Sequence, residues 1–344
     1  MRQHRLEFSE PGRVVMKVGP APRPGADQVL VRTHCSAISP GTEMLVYRGR
    51  WPQGVPVDAT IGALAGAFAY PLSYGYCTVG RVIASGTAVS DDWSGRRVFA
   101  FQPHQDLFCA APDTLHPIPE DLDDETALFL PGMETAVNLL LDGSPLIGEK
   151  VVVVGQGIIG LLTTALLSRF PLAELATLDA HPLRREASIR LGAGVCFDSE
   201  DPASFLSLGG DPGQGGEADL VYELSGNPAA LNTALALTRF SGRVVVGSWY
   251  GAKKAELELG AFFHRGRVSL ISSQVSSIAP ELTGRWRNSR RLQLAWEMLR
   301  QVRPSGCISH RFALAEASSA YALIDRSPGE TIQVILDHRQ ADEM

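Results

Sequence analysis

The rhythm of apolar positions along the chain changes near residue 123. Before that point, short β-branched and aromatic runs such as QVLVRTHCSAI, TVGRVIASG and RRVFAF alternate with Pro and Gly turns, so residues 1–123 read as mostly β. From Asp123 onward, DETALFLPGMETAVNLLLD has helical spacing despite Pro131 and Gly132. Strands then alternate with helices through VVVVG, LATLD, GVCFD, DLVYELSG, RVVVGSW and RVSLISSQ. That alternation predicts a doubly wound parallel sheet of about six strands over residues 124–274. The stretch 275–344 carries an Arg-rich helix, WRNSRRLQLAWEMLRQ. HRFALAEASSAYALID and TIQVILDH follow, and read as a strand, a helix and a strand that return to the first domain. The expected fold class is α/β.

Residues 151–160, VVVVGQGIIG, carry the sharpest signal. A parallel strand covered on both faces is a continuous β-branched run, which the four valines fit. Gly155 permits a tight turn, Gly157 lets backbone approach a pyrophosphate, and Gly160 allows close packing of helix on strand. With Gln156, Ile158 and Ile159 they open an apolar helix whose unpaired N–H groups suit phosphates. LATLDA follows, and its Asp179 stands where a carboxylate accepts hydrogen bonds from ribose hydroxyls. The whole points to a nicotinamide cofactor, against an ordinary strand-to-helix turn. Asp179 favours NAD. Arg184 and Arg185 could welcome a 2′-phosphate, which leaves NADP open, or form a solvated first helical turn, the preferred reading for Arg185. Ligands bind beyond the carboxyl ends of such strands, where Ser225, Gly226, Gly247, Ser248 and Gln274 stand. These border the expected nicotinamide ribose and carboxamide. Trp249 and Tyr250 either wall a substrate pocket or pack against the other domain.

Composition narrows the partners. A chain of 344 residues, 45% hydrophobic and 20% charged, has room for two domains with cores. A net charge of −6 and a pI near 5.8 argue against nucleic acid and favour a small-molecule substrate. The N-terminal MRQHRLEFSEPGRVVMK lacks the apolar stretch of a signal peptide, and no membrane span is evident, so a cytoplasmic location is expected. Cys35, Cys77, Cys109, Cys196 and Cys307 are odd in number, scattered and without a CxxC pair, and read as reduced thiols, mostly buried.

The order of these segments resembles the medium-chain dehydrogenase/reductase superfamily over essentially the whole chain. SAISPGTEMLVYRG, GYCTVGRVIASG, VVVVGQGIIG with Asp179, DLVYELSG and the closing HRFALAEASSAYALID with TIQVILD carry the resemblance. It implies a GroES-like β-rich catalytic domain, a Rossmann domain and a homodimer. SPGTE and the SSQ ending at Gln274 are similar to the branch related to bacteriochlorophyllide hydroxyethyl dehydrogenases. Zinc members place a metal on a Cys, on the His of a Gly-His-Glu motif, and on a later Cys or acid. Here Ser39 and Pro40 stand near the first position, Gly75-Tyr76-Cys77 at the second, and residues 126–135 offer no Cys or His. The four cysteines of a structural zinc lobe are also missing. We therefore expect no zinc; a fallback set of Cys77, His104 and Glu43 has no spacing to support it.

Without a Lewis acid, protein donors have to meet the charge that develops on the reacting oxygen. The resemblance brings Thr42 to the cleft, as a substrate contact or as a helix-capping hydroxyl, with Glu43 beside it in an orienting role. Tyr76 either donates to a carbonyl or fills the hole left by the metal. His104 is a proton shuttle at the cleft mouth or an exposed loop histidine. Glu134, from the helix between domains, is a functional acid or an interdomain partner. The apolar ATIGALAGAFAY, Ala59 to Tyr70, either lips a pocket for a large hydrophobic substrate or forms a loosely packed helix or subunit contact. Arg285 to Arg303 reads as an amphipathic helix with a solvated basic face. These readings converge on a zinc-independent NAD(P)-dependent oxidoreductase that interconverts a secondary alcohol and a ketone. The rivals are an NADPH-dependent quinone or enone reductase, and a dinucleotide-binding sensor or complex subunit without turnover.

Overall fold

The computed structural model describes residues 1–57 and 61–339. The chain begins with an antiparallel hairpin, β1 (Arg2–Glu10) and β2 (Arg13–Pro20). Then come β3 (Val29–Ile38), helix α1 (Thr42–Tyr47), β4 (Thr78–Ser85), β5 (Arg97–Ala100), β6 (Leu107–Ala110), β7 (Leu115–Pro117) and the short helix α2 (Asp124–Ala127). The helical stretch expected from Asp123 is broken. Asp123 caps α2 by accepting from the Thr126 amide, and α3 (Leu130–Gly143) starts afresh with Pro131 in its first turn, where a missing N–H costs nothing.

Next follow β8 (Lys150–Val154), α4 (Ile158–Leu167), β9 (Glu174–Asp179), α5 (Pro182–Arg190), β10 (Val195–Asp198), α6 (Pro202–Ser207), β11 (Ala218–Glu223), α7 (Ala230–Leu237), β12 (Thr238–Val246), β13 (Ser269–Ser272) and α8 (Asn288–Val302). The chain ends in β14 (Ile308–Ala313), α9 (Ala317–Arg326) and β15 (Gln333–Asp337). Two compact units result, one made of Met1–Phe129 with the chain from Arg303 onward, the other of Leu130–Val302. Residues 275–302, expected to return to the first unit, pack within the second. Arg291, Ala295 and Leu299 of α8 turn inward there, so the return begins at Arg303. The boundary expected at 123/124 likewise falls at 129/130, because α2 packs with β3 and β4.

In the first unit a seven-stranded sheet runs β14-β15-β3-β4-β5-β7, with β6 on β3; β14 and β15 are parallel and the other pairs antiparallel. The six strands of the second unit are all parallel, in the order β10-β9-β8-β11-β12-β13. Counted from β8, that is the 3-2-1-4-5-6 order of a dinucleotide-binding sheet, whose switch point lies between β8 and β11. The unbroken valine run follows from this position. Val152 and Val154 pack with Ala176, Leu178 and Val221 on one face, while Val151 and Val153 pack with Leu139, Leu220 and Tyr222 on the other.

The segment Ala59–Tyr70 begins with Ala59 and Thr60, which lie outside the described residues. From Ile61 it is irregular apart from one 3-10 turn, Gly62–Leu64, rather than a helix. Among the described residues no helix is long and apolar enough to cross a membrane.

Packing of α4 on β8 depends on Gly160, where a Cβ would lie 1.9 Å from the Gly155 carbonyl oxygen. The backbone there cannot give way cheaply. Gly160→Ala is expected to lose about 3 kcal/mol in urea unfolding, the upper end of overpacking costs. Gly157→Ala meets nothing within 4 Å and is expected to stay within about 1 kcal/mol of the parent, the scale of an N-cap change. Equal losses at the two positions would contradict this account.

Candidate functional site

The turn after β8 is built by three glycines with three different reasons. Gly155 has φ +91°, and a Cβ on it would sit 2.5 Å from the Ser225 Cα across the switch point. Gly157 is the N-cap of α4 and faces open space, and no side chain caps the helix there. That leaves the N-terminal N–H groups of α4, beginning at Ile158 and Ile159, with the chemistry of an anion site. Gly160 is the close contact described above. Gln156, expected to contribute to cofactor binding, is fully buried. Its amide group bonds to the Val153 and Gly155 carbonyls, and its oxygen accepts from Thr164 Oγ1. Its side chain braces the turn from inside.

Asp179 ends β9 and is 6% exposed. One carboxylate oxygen accepts from the Gln156 N–H at 2.7 Å and the other from the His181 N–H at 2.8 Å. The acid therefore tethers the glycine turn to the start of α5. Arg184 is half-buried beside it, and burial lowers its pKa, with the Asp179 charge opposing. Arg185, expected in a solvated turn, instead donates to the Asp179 and Ala180 carbonyls and pairs with Asp198 at 3.0 Å.

Beyond β11 a residue overlooked in the sequence dominates. Glu223 is fully buried, and its carboxylate accepts from the Ser225 N–H at 2.8 Å, from the Ser225 hydroxyl and from the Tyr250 hydroxyl. Ser248 Oγ accepts from the Gly226 N–H at 2.9 Å, and the Gly247 N–H donates to the Glu223 carbonyl. Ser225, Gly226, Gly247 and Ser248 thus form one knitted pair of loops at the carboxyl ends of β11 and β12. A lone acid inside the apolar LVYELSG was the available signal. Tyr250 is bonded into this knot, while Trp249 is exposed. Gln274, after β13, closes a local turn on Ser276 and is itself exposed.

Glu134 has its ion-pair partner in its own unit. Within the second unit it pairs with Arg291 at 3.1 Å, and Arg291, buried in α8, also bonds Asn138 and the Val275 and Ser277 carbonyls. Burial raises the Glu134 pKa, with Arg291 opposing.

In the first unit, Ser39, Thr42 and Tyr76 come together. The Tyr76 hydroxyl donates to Ser39 Oγ at 2.6 Å. Burial pushes the Tyr76 pKa up to about 12, with hydrogen bonding to Ser39 opposing, the Glu43 charge adding, and Thr42 also opposing. Thr42 is the first residue of α1, after Gly41, and no side chain caps that helix. Its hydroxyl serves Tyr76 rather than the helix end. Aromatic edges and stacks continue from Tyr76 through Tyr74, Trp51 and Phe68.

Behind this group lies a fully buried polar chain. Glu43 accepts from the Ser39 N–H at 2.8 Å on one oxygen, and from the Tyr321 hydroxyl and His104 Nε2 (2.9 Å) on the other. His104 Nδ1 meets Ser36 Oγ at 2.7 Å, and Ser36 Oγ meets His338 Nε2 at 2.8 Å. His104, expected at a cleft mouth or in an exposed loop, is 0% exposed with both ring nitrogens engaged. Gly75 makes room for it, since a Cβ there would lie 2.7 Å from the ring. The donor count assigns the protons. In the arrangement that satisfies every contact, Glu43 accepts from the His104 Nε2–H, Ser36 donates to His104 Nδ1, and His338 donates from Nε2. That leaves His338 Nδ1 as a bare acceptor, consistent with the absence of a partner for it.

The residues do not fit the zinc of the superfamily. Ser39 and Tyr76 offer neutral hydroxyls, and the Cys77 thiol, its pKa raised by burial and by Glu43, donates to the Leu128 carbonyl at 2.7 Å. Among the described residues no three His, Cys, Asp or Glu side chains group as a metal set, Cys77, His104 and Glu43 included.

Burial above all, with His104 adding and Asp337 opposing, lowers the His338 pKa to about 3. An unfolded histidine titrates near 6.5, so between these values the unfolded chain holds a proton that the folded chain lacks. Stability then falls with falling pH, by about 1.4 kcal/mol per unit. His338→Gln keeps an N–H for Ser36 and cannot titrate. Its urea-unfolding free energy is expected to fall less steeply than the parent's between about pH 6 and pH 4; parallel slopes would refute the assignment.

The zinc-binding dehydrogenase family model matches residues 159–292, within the parallel-sheet unit. The D-guloside 3-dehydrogenase of Escherichia coli K12 is 25% identical over 293 residues, covering 80% of this chain and 81% of that protein. Among solved structures, the 2R,3R-butanediol dehydrogenase of Bacillus subtilis superposes with a TM-score of 0.79 at 16% identity, covering 98% of this chain and all of that one. A short chain alcohol dehydrogenase of E. coli CFT073, in complex with NADH, gives 0.77 at 18% identity, covering 98% and 99%. The sheet order, the glycine turn and these likenesses agree: the chain has the fold of these dehydrogenases, is similar to them in sequence, and is an oxidoreductase.

Proposed function

We propose that this protein is an NAD-dependent, zinc-independent dehydrogenase that interconverts a secondary alcohol and a ketone. The observation that carries the reading is the turn from Gly155 to Gly160, at the switch point of the parallel sheet, with Asp179 tethered to it. The solved neighbour with NADH and the relatives named for sugar and diol oxidation support it. Bound NAD supplies a hydride acceptor; the alcohol loses one hydride and one proton, and the ketone, NADH and H⁺ balance the reaction.

The chain's own residues have separate tasks. The N-terminal N–H groups of α4 bind the pyrophosphate. Asp179 has lone pairs left after its two amide bonds, and these accept from the adenosine ribose hydroxyls, while its charge repels a 2′-phosphate. Ser225, Gly226, Gly247 and Ser248 border the nicotinamide end, their loops set by Glu223. The metal's role falls to hydroxyl donors: by the sequence resemblance Ser39 and Tyr76 lie near the positions of the superfamily's first two zinc ligands, and their hydroxyls are hydrogen-bonded to each other.

Asp179→Ala is expected to raise KM for NAD by about tenfold or more while sparing NADP, since one charge-assisted contact is worth roughly 1.5–3 kcal/mol. Steady-state kinetics with both cofactors would reveal an unchanged preference, which would defeat the ribose assignment. Metal analysis of the purified, active protein is expected to find zinc far below one per chain. Stoichiometric zinc whose removal abolishes turnover would overturn the zinc-independent reading.

A further inference from the structure

We propose that Ser39 is the catalytic residue that hydrogen-bonds the reacting oxygen of the alcohol or ketone, with Tyr76 as the positioning residue behind it. The inference rests on the dehydrogenase reading above and names the group that meets the substrate. A phenol has one proton to give, and Tyr76 gives it to Ser39 Oγ at 2.6 Å. Ser39 keeps its own O–H, for which no acceptor is found among the described residues, and its side chain is partly exposed. Thr42 and Tyr76, the hydroxyls first expected to meet substrate, are both engaged inward, Thr42 with Tyr76 and Tyr76 with the Ser39 oxygen. His104 cannot compete, because both its nitrogens are taken inside the fold.

Ser39 is also preorganised. Its N–H is pinned to Glu43, and Glu43 is pinned in turn by His104 and Tyr321. A donor fixed before the reaction is worth far more to a developing oxyanion than one that must reorient. A hydroxyl that already accepts a hydrogen bond is a stronger donor, which is what Tyr76 adds. As charge grows on the substrate oxygen, the Ser39 O–H shortens its bond to it. No bond to Ser39 forms or breaks.

The test uses the full chain with NAD(H) and a panel of secondary alcohols that includes 2R,3R-butanediol and methyl D-guloside. KM for NAD serves as the control for an intact second unit. Ser39→Ala is expected to lower kcat by about 10² to 10³, as for a deleted oxyanion donor, and Ser39→Thr to retain most of it. Tyr76→Phe should cost about tenfold in kcat with KM for NAD unmoved, the mark of a group felt only in the transition state. Infrared spectra of the bound ketone give a second readout, a carbonyl stretch lowered in the parent and restored toward the free value in Ser39→Ala. Turnover by the parent with Ser39→Ala undiminished overturns the assignment and leaves the dehydrogenase reading standing. Collapse in Tyr76→Phe with Ser39→Ala spared transfers the donor role to Tyr76 and equally overturns it. A parent that binds NADH yet oxidises no alcohol on the panel overturns the dehydrogenase reading, and the Ser39 role with it.

Discussion

A carboxylate removed from water has to be given donors, and three of the buried acids impose that demand on the loops of the candidate site. Glu43, Asp179 and Glu223 are 0%, 6% and 0% exposed. Each takes at least one main-chain N–H: Ser39 for Glu43, Gln156 and His181 for Asp179, and Ser225 for Glu223. An unmet buried charge costs several kcal/mol, so each acid fixes the turn that supplies its donors. Those turns are the ones with functional assignments. The loop before α1, the glycine turn after β8 and the loop after β11 are all held from behind by an acid.

The same arrangement explains what could be read in the sequence. The parallel sheet was legible because its evidence is local. Four valines buried alternately on two faces, three glycines and an acid in the following strand fall within about thirty residues, the span of one βαβ unit. Glu223 is equally local, one charge in an apolar strand, and the small residues after it are set by the bonds it accepts. The hydroxyl group around Tyr76 was half legible. Thr42 and Tyr76 stand out in the sequence as hydroxyls, while Ser39 takes its place from Tyr76, 37 residues away.

His104 was not legible at all. Its setting depends on Glu43, 61 residues away in sequence, on Ser36, 68 away, and through Ser36 on His338, 302 residues from that serine. No spacing rule joins positions brought together by a sheet whose last two strands come from the far end of the chain. The domain boundary failed for a related reason. An amphipathic pattern such as α8 says that one face is buried, and Arg291 shows why it cannot say against what. A buried arginine is tolerated only where Glu134, Asn138 and two carbonyls already wait for it.

Glu43 does more than anchor the loop before α1. Here it is bonded to neutral or shared-proton partners, and its field acts on the remaining groups. It raises the pKa of Tyr76, of Cys77 and of Tyr321, in each case on top of burial. All three therefore keep their protons through the neutral range, and a protonated phenol at Tyr76 is what makes Ser39 Oγ an acceptor on one side and a donor on the other. The acid that anchors the loop thus also fixes the direction of the hydrogen bonds running through it.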